Sequence, residues 1–162
     1  MSMTFQANVD FSTVEKVKVY MKDLYPDSED YYFEDDPYVS KEEGTGLLYQ
    51  MDYAPLDFVH EITLSNQNMF SMLEVIDKSL AIATEHNDYC YRIESKDLPA
   101  FKQKIIRALN SEKSKKHAVP DFREGNMYHC GISESYIMSK LKTMLEITDN
   151  AQKRGLEVYW AW

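Results

Sequence analysis

The sequence lacks the features that mark membrane-spanning and secreted proteins. It contains no uninterrupted run of about 18 apolar residues, the length at which a membrane-spanning helix is indicated. The first residues, MSMTFQANVDFS, have no basic stretch followed by an apolar one, so we expect no signal peptide. Only two cysteines occur in 162 residues, and we expect free, mostly buried thiols in a cytoplasmic protein.

Short motifs for metal ions and phosphates are missing as well. The four histidines and two cysteines show none of the paired spacings typical of zinc sites, and His129 and Cys130 are adjacent, which directs them to opposite faces of a strand. The five glycines form no phosphate-binding loop. A nucleophilic pair of Cys90 or Cys130 with His60 is an alternative to a buried thiol. We predict no catalytic residue, no metal and no cofactor, and we favour a binding protein over an enzyme.

What the sequence does have is acidity concentrated in one place. The formal net charge is −9, and residues 26–43 alone hold eight acids against one base, which is −7. No sustained basic surface is indicated, because the lysines at 113, 115 and 116 are flanked by acids, so direct nucleic-acid binding is not expected. Residues 26–46 also lack hydrophobic periodicity, and we interpret them as an irregular segment inserted before the regular elements.

Tyrosines interleave with these acids, and aromatic side chains in an irregular acidic segment favour contact with a partner. We therefore predict a small protein-binding protein, of inhibitor, immunity or anti-defence type, whose partner has a basic surface. The candidate partner-binding residues are Asp30, Tyr31, Tyr32, Glu34, Asp35, Asp36 and Tyr38.

The hydrophobic pattern predicts a single α+β domain over residues 1–162. A helix is predicted over 12–24, strands over 47–53 and 58–64 that pair as a hairpin, and three units in which a strand, a serine and an amphipathic helix follow one another. Because most strands alternate apolar and polar residues, we expect a two-layer α/β sandwich of about four or five strands, with about four helices mainly on one face.

The serines at the three helix starts, Ser65, Ser95 and Ser133, carry an alternative function. If the strands are parallel, these starts lie at one edge and could bind a small ligand such as a phosphorylated metabolite. Ordinary helix capping is the simpler interpretation. The candidate ligand-binding residues are Ser65, Asn66, Asn68, Tyr128, His129 and Ser133.

A third alternative is a structural subunit. The last strand, predicted over 156–162, ends in YWAW, and an edge strand with exposed aromatics could pair with a second copy to form a homodimer.

Overall fold

The computed structural model describes residues 2–20, 26, 50–77, 82–83 and 90–161. Its contacts divide the chain into a larger unit, Met1–Val9 with Phe58–Trp162, and a smaller unit, Asp10–Asp57. The single domain over 1–162 stays a prediction. Nearly all of the acidic segment predicted at 26–46, including every partner-binding candidate in it, lies outside the described residues.

The described elements mix strands and helices, which confirms the α+β class. In chain order the strands are β1 (Ser2–Ala7), β2 (Val17–Tyr20), β3 (Gln50–Tyr53), β4 (Glu61–Ser65), β5 (Ile82–Ala83), β6 (Cys90–Ile93), β7 (Phe122–Glu124), β8 (Met127–His129) and β9 (Val158–Ala161). The α-helices are α1 (Asn66–Ile76), α2 (Leu98–Leu109), α3 (Lys113–His117) and α4 (Glu134–Arg154). Within the described part of the chain, no helix is both long and apolar enough to cross a membrane.

The main sheet belongs to the larger unit. Its described strands are antiparallel and lie in the order β4-β1-β9-β6-β5. The edge position predicted for the C-terminal strand is wrong, because β9 pairs with β1 on one side and with β6 on the other. The Trp160 side chain is fully buried. The backbone of β9 is thus already paired on both sides, and a homodimer built on it has no free edge to use.

One face of this sheet carries the core. Along β1, Met3, Phe5 and Ala7 are buried while the residues between them are partly exposed, which is the alternation of a sheet covered on one side. The Phe5 ring lies 6.1 Å from the ring of Trp160 and 6.2 Å from that of Phe101 in α2. Helices α1 and α4 also pack on β1 and β4. The predicted arrangement of helices mainly on one face is confirmed.

Helix α4 has a capping residue at each end and a continuous stripe of buried residues between them, and together these account for its length. Ser133 caps its first turn, and Gly155 ends it with a positive φ of 67°, a conformation that glycine adopts without steric cost. The buried residues recur at helical spacing and are Ile137, Leu141, Met144, Ile147, Thr148 and Ala151. Helix α1 ends at Ile76.

In the smaller unit, two predictions made from the sequence are wrong. The helix predicted over 12–24 is wrong in its described part, where a 3₁₀ turn, Phe11–Thr13, is followed by β2. Asp10 caps that turn by accepting a hydrogen bond of 3.0 Å from the Ser12 amide. The predicted pairing of 47–53 with 58–64 is also wrong, because β3 pairs with β2 whereas β4 pairs with β1. In both cases the pairing partner is remote in sequence, and local periodicity does not reveal it.

Candidate functional site

Strands β7 and β8 form a hairpin separate from the main sheet. Their register pairs Glu124 with Met127 across a two-residue turn, and Gly125 opens the turn with a φ of 58°. A glycine at the first turn position is typical of tight hairpins, because their twist needs a positive φ there. The sequence predicted a strand at 127–130 that belonged to a strand–serine–helix unit. The strand is present, but among the described residues it pairs only with β7.

The base of the hairpin is fixed by a close approach of two backbone segments. The amides and carbonyls of Val119 and Ile132 exchange two hydrogen bonds, of 2.9 and 2.8 Å. A Cβ on Gly131 would lie 2.0 Å from the carbonyl oxygen of Val119, so this position has room only for glycine. These contacts therefore fix the position of the hairpin relative to the start of α4.

Asp121 ties the two strands of the hairpin to this base. Its Oδ1 accepts a hydrogen bond of 2.7 Å from the Gly131 amide, and its Oδ2 accepts one from the Tyr128 hydroxyl. The hydrogen bond from Tyr128 is the larger cause, and that from Gly131 the smaller, of a pKa of Asp121 below its usual value. The same bond raises the pKa of Tyr128 above its ordinary 10.0, because the hydroxyl proton is held by a carboxylate. Asp121 is therefore an anion at neutral pH.

Large apolar side chains on this hairpin face solvent. Val119 is 46% exposed, Phe122 50%, Met127 63% and Tyr128 64%, and we call these four residues the hairpin patch. The pairing register places Phe122, Met127 and His129 on one face and Tyr128 on the other. The Phe122 ring stacks on the His129 imidazole with centroids 4.4 Å apart. Both faces of the hairpin thus carry exposed apolar surface.

Two adjoining cavities lie where the hairpin meets the helix starts. The first, which we call the polar cavity, has a volume of about 250 Å³ and is lined by Asn68, Asp121, Gly131, Ile132, Ser133 and Tyr136. The second, the hairpin cavity, has about 350 Å³ and is lined by Gln67, Val119, Phe122, Tyr128, His129, Cys130, Gly131 and Ile132. Gly131 and Ile132 line both cavities, so the two cavities lie next to each other.

Two of the three predicted helix starts meet at the polar cavity. Ser65 Oγ accepts a hydrogen bond of 3.3 Å from the Asn68 amide, and Ser133 Oγ accepts one of 3.1 Å from the Tyr136 amide. Asn68 Nδ2 then donates to the Tyr136 hydroxyl at 3.1 Å, which joins the start of α1 to the start of α4.

The third start does not join them. Ser95 lies in a 3₁₀ turn, Ser95–Asp97, and Asp97 rather than Ser95 occupies the cap position of α2. Ser95 lines neither cavity. The prediction that all three helix starts lie at one edge of the sheet required parallel strands. The described strands of the main sheet are antiparallel.

The predicted ligand-binding residues divide between the two cavities. Asn68 and Ser133 line the polar cavity, and Tyr128 and His129 line the hairpin cavity. Ser65 and Asn66 line neither, although both stand at the start of α1. Sequence reasoning missed Asp121, Gly131 and Tyr136. The available signal was the Gly125-Asn126 pair between two short strand-like runs, which predicts a hairpin and places Asp121 at its base.

In the described part of the chain, no three His, Cys, Asp or Glu side chains lie close enough together to hold a metal ion. Cys130 is a free thiol but is exposed, so the buried environment predicted for it is wrong. It follows His129 at the end of β8, beyond the residues that pair with β7.

Comparisons with known proteins give no match to a family model, to a curated protein or to a solved structure.

Proposed function

We propose that this chain is a cytoplasmic protein-binding protein that acts by covering the surface of another protein, as inhibitors and immunity proteins do, and that the hairpin patch is part of its contact surface. The observation that carries this proposal is the hairpin's exposure. Every residue of β7 is exposed, and in β8 only His129 is partly buried.

Exposure on both faces is unfavourable for a hairpin in water. A two-stranded hairpin is marginally stable by itself and normally needs a third strand or a packed helix on one face. This one is held by its base, through Val119 and Ile132 and through Asp121. Its strands leave the large apolar side chains of the hairpin patch in solvent. Exposed apolar side chains grouped in this way are typical of protein-binding surfaces.

The charge of the chain supports a partner with a basic surface. The formal net charge of −9 attracts such a partner over long range and raises the association rate at low ionic strength. The acidic, tyrosine-rich residues at 26–46 remain part of this proposal as a second contact region, on the strength of their sequence alone.

The first experiment measures capture of partners from an extract of the cells that express the protein naturally. Immobilised wild-type protein is compared with a variant carrying Phe122→Ser and Met127→Ser, and captured proteins are quantified by mass spectrometry. Truncation of one residue that anchors an interface costs about 2 kcal/mol or more, and about 1.4 kcal/mol is tenfold in affinity. If one of the two residues is such an anchor, we expect at least about tenfold less of any specific partner.

The matched control is Val59→Ser, since Val59 is also an exposed apolar residue of the larger unit, at 38%, but lies on neither cavity. It should capture as much as the wild type. Equal capture by the hairpin variant and the control, with both folded by circular dichroism, would remove the hairpin patch from the interface. Substitution of Asp30, Glu34, Asp35 and Asp36 by their amides tests the acidic segment separately, through the salt dependence of the association rate.

A further inference from the structure

The polar cavity is negatively charged, which disfavours anionic ligands such as phosphate. Of its described lining residues, Asp121 carries a negative charge and none is basic. Two helix starts face the cavity with a partial positive charge of about half an elementary charge each. Ser65 and Ser133 satisfy one amide of each start, and Glu134 places a further carboxylate in the first turn of α4. The two carboxylates, Asp121 and Glu134, therefore outweigh the partial positive charges of the two helix ends, and the net charge at the cavity is negative.

The hydrogen-bonding groups of the cavity favour a ligand that donates. A carboxylate has about four acceptor positions, and Asp121 uses two of them, for Tyr128 and Gly131. Asn68 donates through Nδ2 to Tyr136 and retains Oδ1 as an acceptor. A phosphate would bring negative charge and acceptors to a site that already supplies both. A cationic group with several N–H donors complements the site.

We propose that the polar cavity receives an arginine side chain of the protein partner whose apolar residues cover the hairpin patch. The inference rests on the proposed function and names the partner's chemistry at this site. Arginine is favoured over lysine because its planar guanidinium presents several donors at once to a carboxylate and a neighbouring carbonyl. The volume of about 250 Å³ is more than a guanidinium group needs. The adjoining hairpin cavity, which shares Gly131 and Ile132 with the polar cavity, takes a residue next to that arginine.

The experiment is an NMR titration of the wild-type protein with small probes instead of the partner. The probes are N-acetyl-arginine methylamide, the matched uncharged N-acetyl-citrulline methylamide, inorganic phosphate and the free diamine putrescine. The reporters are the backbone amides of Gly131 and Ser133 and the side-chain amide of Asn68. We expect the arginine probe to shift these signals saturably and more tightly than any other probe, and the binding to weaken as salt is raised.

A pair of variants isolates the charge. Asp121→Asn keeps a hydrogen-bond acceptor for Gly131 but removes the charge, and should weaken the arginine probe about two- to fivefold, which is the usual contribution of an exposed ion pair. Glu124→Gln removes an acid of the same hairpin that lies outside the polar cavity, and should leave the affinity unchanged. Asp121→Asn is used only if its amide spectrum keeps the dispersion of the wild type; the citrulline probe and the salt series do not depend on it.

The proposal is overturned if citrulline or phosphate shifts the same signals as strongly as arginine, or if salt has no effect on the arginine probe. Putrescine binding as tightly as the arginine probe would also overturn it, because a free cation would then be the ligand. Loss of partner capture in the hairpin variant without binding of the arginine probe would leave the proposed function standing and refute only the arginine. Binding of the probe with unchanged capture would refute the hairpin patch as the contact surface, and the arginine of a partner on that patch with it, and would leave only a guanidinium-binding cavity.

Discussion

Substitution of Gly131 by alanine tests how the hairpin is held against the helix starts. The added Cβ would lie 2.0 Å from the Val119 carbonyl oxygen, 2.5 Å from the Pro120 carbonyl carbon and 2.7 Å from the Asp121 nitrogen. All three are backbone atoms, so no side-chain rotation relieves the clash. The two segments must separate, which breaks the two hydrogen bonds between Val119 and Ile132 and the bond from the Gly131 amide to Asp121.

The cost follows from these contacts. Overpacking costs about 1–3 kcal/mol, and each hydrogen bond contributes about 0.5–1.5 kcal/mol, with part of the two effects shared because one movement causes both. We expect the free energy of opening at the hairpin base to fall by about 2 kcal/mol. That corresponds to about thirtyfold faster hydrogen exchange of the Val119 and Ile132 amides, both of which donate in the native structure.

The control variant is Gly125→Asn in the turn of the same hairpin. A Cβ there meets nothing within 4 Å, and asparagine tolerates a φ of 58° better than other residues with a side chain. Exchange at the base should change less than about threefold. If Gly131→Ala leaves the exchange of Val119 and Ile132 within about threefold of the wild type, the close approach does not hold the hairpin and the reasoning is refuted.

Three further predictions concern stability and titration. Phe101→Ala should lower the free energy of unfolding by about 3–5 kcal/mol in urea denaturation, because its ring is fully buried against Phe5; a loss below about 1 kcal/mol would contradict the assigned core. Hydrogen bonds from Lys102, and to a smaller extent from Lys153, lower the pKa of Asp149 to about 2. Asp149 should therefore stabilise the fold at pH values above its ordinary pKa of 3.8, and this contribution should be lost as the pH falls towards 2. Because its side chain is 29% exposed and its ion pairs are screened, Asp149→Asn should cost only about 1 kcal/mol at pH 7, and should flatten the decline in stability between pH 4 and 2. Asp121→Asn should bring the raised pKa of Tyr128 back towards 10.0 in an NMR titration of the tyrosine ring; an unchanged value would mean that the Asp121 bond is not its cause.

Helices with coherent local signals were predictable from the sequence. The amphipathic stripe of α4, the serine before it and Gly155 after it are all local features, and the structure contains the helix between that serine and that glycine. The same holds for the Ser65 cap of α1 and its buried Met69, Met72 and Leu73. In these segments, propensity, capping and burial indicate the same element.

Pairing between remote strands was not predictable. Val14 and Val17 fit a helical stripe, but the alternation in Val17–Tyr20 also fits a strand, and its partner Gln50–Tyr53 decides the outcome from about thirty residues away. The central position of β9 is likewise set by β1 and β6, which flank it from distant parts of the chain. Local periodicity contains no information on strand order.

For the same reason, some residues of the candidate site were predictable from the sequence, but their meeting in space was not. Ser133 follows from the rules of helix capping, and Asn68 from its place in the polar first turn after Ser65. Their meeting depends on how α1 and α4 pack, and Asp121 joins them only because a hairpin brings it to Gly131.

Site-specific photo-crosslinking tests most directly whether the hairpin patch contacts another protein. A benzoylphenylalanine placed at Phe122, in cells that express the protein naturally, should give a covalent adduct with one defined partner on irradiation. The same group placed at Phe70, an aromatic residue on α1 that is 39% exposed, should not give that adduct. The absence of any adduct from position 122, or the same adduct in equal yield from both positions, would contradict the hairpin patch as the contact surface.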